Sequence, residues 1–177
     1  VDLFCGIGGF SEGARQAGCE VVLAVDSDPH ALETHRRNHP RCRHLQLALP
    51  QPDLPLPDGE WHLHASPPCQ KVSQANRRVS AEQRERAVAL LEWCFDLVES
   101  EQPTTWSFEQ VVTPLTVELL ERRRKRRPAL YAYAVVNFAD YGVPQDRRRL
   151  IAGSPALVAR FLQRSTPPRA VADAIVP

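Results

Sequence analysis

A chain of 177 residues and 19.9 kDa is long enough for one domain with a real hydrophobic core. Its composition, 43% hydrophobic and 24% charged, is that of an ordinary globular protein, and no run of about 18 apolar residues exists to span a membrane. A net charge of +1 decides nothing about partners, although 20 of the 22 basic residues are Arg, the side chain suited to phosphates and base edges.

Strand and helix patterns alternate from the start. Residues 1–4 are an apolar run ending at glycines, and 10-FSEGARQA-17 reads as a helix stopped by Gly18. The run 20-EVVLAV-25 reads as a buried strand ending at Asp26. A helix follows over 29–38, with Asp28 as N-cap and Pro29 in its first turn. The proline-rich 50-PQPDLPLPDG-59 is loop, and 61-WHLHA-65 alternates as a strand does. Ser80 and Gln83 form a capping box that opens a long helix over 81–101. Residues 104–108 make the next strand, ending at Glu109, and a helix over about 114–126 stops before Pro128. Strands near 130–138 and 148–153 precede a last helix near 155–164, and the residues from 165 to 177 read as a tail. Repeated β–α units of this length predict an α/β fold, a doubly wound and mostly parallel sheet with helices on both faces, as one domain over 1–164. Such folds gather ligands at the carboxyl ends of strands. Gly6 to Gly9, Asp26, Cys69 and Glu109 all fall at that edge.

The five cysteines are an odd number, widely spaced and without a CxxC pair, which disfavours a disulfide framework and a zinc ribbon. The first residues lack a basic and then apolar leader, so the chain is expected to be trimmed at its start, not secreted, and resident in a reducing compartment such as the cytoplasm.

Four groups of residues carry chemistry. In 4-FCGIGGF-10, glycines at 6, 8 and 9 between strand and helix allow a tight turn and a close ligand approach, with the helix N-terminus favouring an anionic group. A dinucleotide fingerprint would place glycine where Ser11 stands, and no Walker GK[ST] follows. Asp26, about 20 residues on, is spaced to accept ribose hydroxyls. Together these suggest an adenosine-type cofactor such as S-adenosylmethionine. The third group is Cys69 with Glu109, at the ends of successive strands. Taken alone the cysteine reads as packing, yet a thiolate beside a carboxyl group is also what addition to an electron-poor ring requires. The fourth is 145-QDRRRL-150, where strand alternation puts Arg147 and Arg149 on one face and Arg148 on the other.

In this order and spacing, DLFCGIGGF, AVDSDPHALETHRRNHP, SPPCQ, FEQV and DYGVPQDRRRL resemble the DNA cytosine-C5 methyltransferases over about residues 1–153. The resemblance implies a Rossmann-like fold dependent on S-adenosylmethionine. Phe4, Gly6, Ile7, Gly8 and Gly9 would shape the cofactor pocket, with Asp26 on the ribose and Ser27 and Pro68 beside them. Cys69 would be the nucleophile on cytosine C6, and Glu109 would protonate or hydrogen-bond N3 and the exocyclic amine. Arg147 and Arg149 would contact the flipped base and nearby phosphates, with Gln145 supporting their strand. Gln70, Ser73 and Arg77 would belong to a loop that closes over DNA. The implied partners are DNA and a chain that supplies target recognition; no membrane and no metal are expected. Two alternatives stay open: a cofactor- or DNA-binding module without turnover, and a tRNA cytosine methyltransferase. Gln110 replaces the family's usual Asn, 45-LQLAL-49 offers no acid for the adenine amine, and little sequence follows the arginine strand.

The remaining clusters read as structure. His35, His39, Cys42 and His44 imitate a metal cluster in spacing but read as a solvated helix end. His62 and His64 share a strand face, and 122-RRRKRR-127 either tracks nucleic acid or complements a helix dipole.

Overall fold

In a doubly wound sheet, the ends of the strands decide where ligands can bind. In the computed structural model, which describes residues 1–68, 80–164, 166, 167 and 170, seven strands join in the order β3-β2-β1-β4-β5-β7-β6. They are β1 (Asp2–Leu3), β2 (Leu23–Asp26), β3 (Arg43–Gln46), β4 (His62–Ala65), β5 (Thr105–Gln110), β6 (Ala132–Asn137) and β7 (Arg148–Gly153). The helices are α1 (Gly9–Gln16), α2 (Pro29–Asn38), α3 (Ala81–Glu101), α4 (Pro114–Arg126) and α5 (Pro155–Leu162). The chain forms two compact units that divide after Trp106, within β5.

The first unit is parallel. β1 pairs with β2 and β4, and β2 with β3, so Phe4, Asp26 and Ser66 all emerge at one edge. Leu3, Ala24, Val25 and Leu63 are buried, as a strand covered on both faces requires. Below them Cys5, Ala24, Leu32 and Cys42 form one cluster. α3 lays Leu91, Phe95 and Val98 into the core, where the Phe95 ring meets Trp106 edge to face at 6.3 Å. Its start is the predicted capping box, with Ser80 Oγ accepting from Gln83 N and the Gln83 side chain accepting from Ser80 N. Asp28 caps α2 as predicted by accepting from the N–H groups of His30 and Ala31.

The second unit is antiparallel. β7 lies between β5 and β6, pairing Glu109 with Ile151 and Gln110 with Leu150 on one side, and Asn137 with Arg148 on the other. Phe108, Gln110, Leu150 and Ala152 are buried, as are Leu119 and Leu120 of α4 and Val158 of α5.

The structure departs from the sequence pattern in several places. β3 escapes the sequence pattern because RHLQ is half-exposed and only weakly alternating. The strand expected over 20–25 begins at Leu23, and Glu109 lies inside β5 rather than beyond its end. His35 is not part of a solvated helix end: it is fully buried. Arg123, within the basic run of α4, is buried too, while the cations around it are exposed.

Burial also gives the fold a pH dependence. His62 and His64 stack beside Phe10 of α1, His64 at 3.7 Å between ring centroids. Burial pushes His62 down to about 4 and His64 to about 3, and His35 falls to about 4 for the same first reason. The folded state therefore holds fewer protons than the unfolded chain, and stability that is full above pH 6.5 is lost as pH falls toward 4 and below. For His64 alone the loss, once pH has fallen below its folded value, is roughly 5 kcal/mol. Asp2 runs the opposite way: burial raises it to about 6, so its protonation below that pH offsets part of the loss. Denaturant midpoints measured from pH 7.5 to 4 are expected to fall, and to fall less steeply in His64→Phe. A flat profile would overturn this assignment.

Candidate active site

The glycine loop 4–9 leaves β1 at the sheet edge. Phe4 has φ of +60°, a left-handed conformation that costs a non-glycine residue about 1–2 kcal/mol. Strain of this kind persists where the surroundings fix it. The carboxylate of Asp26 does that fixing, with Oδ2 accepting the Gly6 N–H at 2.8 Å and Oδ1 the Asp28 N–H at 2.9 Å. Gly8 has φ of +102°, and a Cβ there would lie 3.0 Å from His39 Nε2 and 3.1 Å from His35 Cδ2. Gly8 is thus required both by its dihedral and by the two imidazoles under it. Beside Gly6 and Gly9, by contrast, a Cβ would meet nothing within 4 Å.

The chemistry of this edge fits an adenosine-type cofactor. Asp26 keeps lone pairs beyond the two N–H groups it accepts, Ser27 next to it is exposed, and Ile7 offers an apolar surface at 65% exposure. Open space flanks the loop where a side chain would otherwise sit. Pro68 is exposed near the same edge, after Ser66, whose hydroxyl donates to the Phe4 carbonyl at 3.3 Å. Cys69, Gln70, Ser73 and Arg77 lie outside the described residues.

In the second unit, β-sheet register builds a charged cluster. Glu109 faces Ile151 across the β5–β7 ladder, and Arg149 and Arg147 are two and four residues further along the same face. Diagonal neighbours on a sheet face are within reach of long side chains. Arg149 Nε meets Glu109 Oε1 at 2.9 Å, and Arg147 Nη2 approaches the same oxygen at 3.5 Å. Glu109 Oε2 has no partner among the described residues. The cluster is semi-exposed, with side-chain exposures of 23% for Glu109 and 18% for Arg149. Both arginines hold the same carboxylate oxygen, and no described residue holds the other.

Gln145 is exposed, and the entry to β7 is held instead by Asn137. Its Oδ1 accepts the Arg147 N–H at 2.9 Å and its Nδ2 donates to Asp146 at 2.8 Å. An Asn closing a strand before a tight turn is the signal that could have found it. Gln110 is buried and its side-chain oxygen accepts the Val111 N–H at 2.8 Å, so it shapes the chain just after Glu109. Sequence reasoning also missed the polar chain beneath the glycine loop, running from Asp2 through Ser11 and His35 to His44.

The four described cysteines divide simply. Burial pushes the thiols of Cys5 and Cys94 far up and that of Cys42 to about 11, while Cys19 is exposed. Among the described residues no group of three or more His, Cys, Asp or Glu is arranged to hold a metal ion, and no helix is long and apolar enough to cross a membrane.

Residues 1–154 match the family of C-5 cytosine-specific DNA methylases. Among curated proteins, the type II methyltransferase M.AgeI of Thalassovita gelatinovora is 35% identical, covering 85% of this chain and 38% of its own length. M.XorII of Xanthomonas oryzae pv. oryzae is 33% identical over 85% of this chain and 39% of its own length. The chain thus spans about two fifths of these relatives. Among solved structures, an E. coli prophage product assigned as a DNA modification methyltransferase superposes with a TM-score of 0.66 at 26% identity, covering 99% of this chain and 54% of that one. DNMT2 of Spodoptera frugiperda shares the fold, with a TM-score of 0.60 at 19% identity over 87% of this chain and 48% of its own.

Proposed function

The chain belongs to the C-5 cytosine-specific DNA methylase family, and from that premise we propose that it methylates C5 of cytosine in DNA with S-adenosylmethionine as cofactor. The observation that carries this reading is the Glu109 carboxylate, one oxygen held by Arg149 and Arg147 and the other left to a ligand. A cytosine presents N3 and an exocyclic amine side by side, and a fixed carboxyl group can meet both.

Cytosine C5 is too weak a nucleophile to be methylated directly. The Cys69 thiolate adds to C6, and proton transfer or hydrogen bonding at N3 by Glu109 takes up the electron density displaced onto the ring. The C5=C6 double bond becomes an enamine-like system with density at C5. After C5 has gained its methyl group, loss of the C5 proton lets the C6–S bond break, and the thiolate and aromatic ring are restored. Bound S-adenosylmethionine supplies the electrophilic methyl group. Asp26 would hold the ribose hydroxyls of that cofactor, and Phe4, Ile7, Ser27 and Pro68 would line its adenosine, with Gly6, Gly8 and Gly9 letting the backbone approach. Arg147 and Arg149 position Glu109, and Gln145 lies on the turn that delivers them. Gln70, Ser73 and Arg77, in the loop after the nucleophile, are assigned to DNA. The target base must leave the duplex stack to reach such a site, at a cost of about a few kcal/mol.

Because the relatives are more than twice as long as the matched segment, choice of target sequence is assigned to chain or a partner outside these 177 residues.

The test uses the full-length protein with methyl-labelled S-adenosylmethionine and either DNA or tRNA. Label recovered as 5-methylcytosine in DNA supports the reading; label only in tRNA, or none in either, overturns it. In the same assay Asp26→Ala is expected to raise KM for the cofactor by roughly 10- to 100-fold, the cost of charged hydrogen bonds, with a much smaller change in kcat. An unchanged KM would remove Asp26 from the cofactor site.

A further inference from the structure

Four polar side chains run in line beneath the glycine loop. Ser11 Oγ donates to Asp2 Oδ2 at 2.7 Å, His35 Nε2 lies 3.0 Å from Ser11 Oγ, and His44 Nε2 lies 2.8 Å from His35 Nδ1. Asp2, Ser11 and His35 are each wholly buried, and Asp2 Oδ1 is a buried oxygen with no partner among the described residues. The direction of the chain follows from its end. An oxygen of Asp2 accepts, so the Ser11 hydroxyl donates; its own oxygen then accepts from His35 Nε2–H, and His35 Nδ1 is left to accept from His44 Nε2–H. His35 is therefore held neutral, in one tautomer, between two partners.

This chain touches the cofactor loop at two places. Ser11 sits in the first turn of α1, whose N-cap Gly8 has no side chain to cap it. Gly8 itself rests on the imidazoles of His35 and His39, which tilt against each other with centroids 4.7 Å apart. The ring of His35 thus sets both the height of the loop and the start of the helix that follows.

We propose that His35 is a positioning residue for the cofactor loop, its imidazole tying Ser11 of α1 to His44 of β3 and so fixing the seat on which Gly8 lies. The proposal rests on the cofactor reading above. Charge around the ring supports a neutral form. His39 faces it from the C-cap of α2 and His44 from β3, while Asp26 at the end of β2 supplies opposite charge and Asp2 on β1 lies beyond Ser11; burial and the two imidazoles prevail. A proton on Nδ1 would set one donor against another at His44.

Binding of S-adenosylhomocysteine to the full-length protein, by calorimetry at pH 7.5, tests this with His35→Phe, His35→Gln and Ser11→Ala. The phenyl ring fills the space without bonding, and is expected to weaken binding about tenfold, the equivalent of a lost hydrogen bond or two. Glutamine carries both a donor and an acceptor and is expected to restore most of the affinity. Ser11→Ala is expected to behave like His35→Phe, and serves where that variant does not fold. In turnover the change should appear in KM for S-adenosylmethionine, with kcat within about twofold. Variants that all bind as wild type does would overturn the proposal and leave the cofactor reading intact. A wild-type protein that binds no cofactor overturns that reading instead. Amide exchange over residues 6–12 then decides the positioning role: faster exchange in His35→Phe, reversed in His35→Gln, supports it, and equal exchange removes it.

Discussion

Cys69→Ala is expected to abolish methyl transfer, by at least about 10³-fold, while leaving cofactor binding within a few-fold of wild type. The size of the effect follows from the ring. Without addition at C6, C5 carries too little electron density to take a methyl group, and no other group in the proposed mechanism can add there. Cys69→Ser should be nearly as inactive, because a hydroxyl is far less ionised near neutral pH than a thiol. The other cysteines are poor substitutes: Cys5, Cys42 and Cys94 are buried with their thiols pushed up, and Cys19 is exposed beyond the C-terminal end of α1. DNA carrying 5-fluorocytosine separates chemistry from binding. Its C5 fluorine cannot leave as a proton does, so the wild-type protein should remain attached through Cys69 and the alanine variant should not. Methylation by Cys69→Ala within a few-fold of wild type would remove the nucleophile from the mechanism.

What could be read from the sequence was what local chemistry dictates. The Asp28–Pro29 start and the Ser80–Gln83 capping box place α2 and α3 to the residue, because a cap is a short-range event. The alternation of Arg147, Arg148 and Arg149 likewise survives, since β-strand geometry admits no other assignment of faces. Strand limits were less legible, because an apolar run such as EVVLAV does not say where its neighbour begins to pair. His35 shows the commoner difficulty. Leu32 and His35 lie at i and i+3 on α2, an inward-facing pair, and His39, the residue that caps the helix, follows at i+7, half-buried. Polarity argued for solvent, while the spacing argued for the core. The conflict resolves only when Ser11 and His44, from two other elements, are known to supply the bonds that burial demands. The same holds for Glu109: its nearness to the end of a strand was legible, but its place inside β5 and its two arginine contacts depend on the β5–β7 register, which no local pattern encodes.

That register carries the second large effect. Glu109→Gln is expected to lower kcat by about 10²- to 10⁴-fold, the range for loss of a positioned acid–base group, with cofactor binding unchanged. An amide keeps the length of the side chain and can still accept from Arg149 through its oxygen. It then turns an NH2 group toward the position Oε2 occupied. That group cannot accept from the exocyclic amine of cytosine and cannot deliver a proton to N3, so C6 addition loses its electron sink. Arg149→Lys tests the support rather than the acid. The ammonium keeps the charge but not the planar guanidinium whose Nε meets Oε1 at 2.9 Å, so the carboxylate should lose its fixed direction. The expected loss is smaller, about tenfold, and should shrink when Glu109 is already glutamine, because both changes act through one carboxylate. Full additivity of the two losses would mean that Arg149 serves DNA independently of Glu109. Near-normal kcat in Glu109→Gln would place the proton at N3 in the hands of another group.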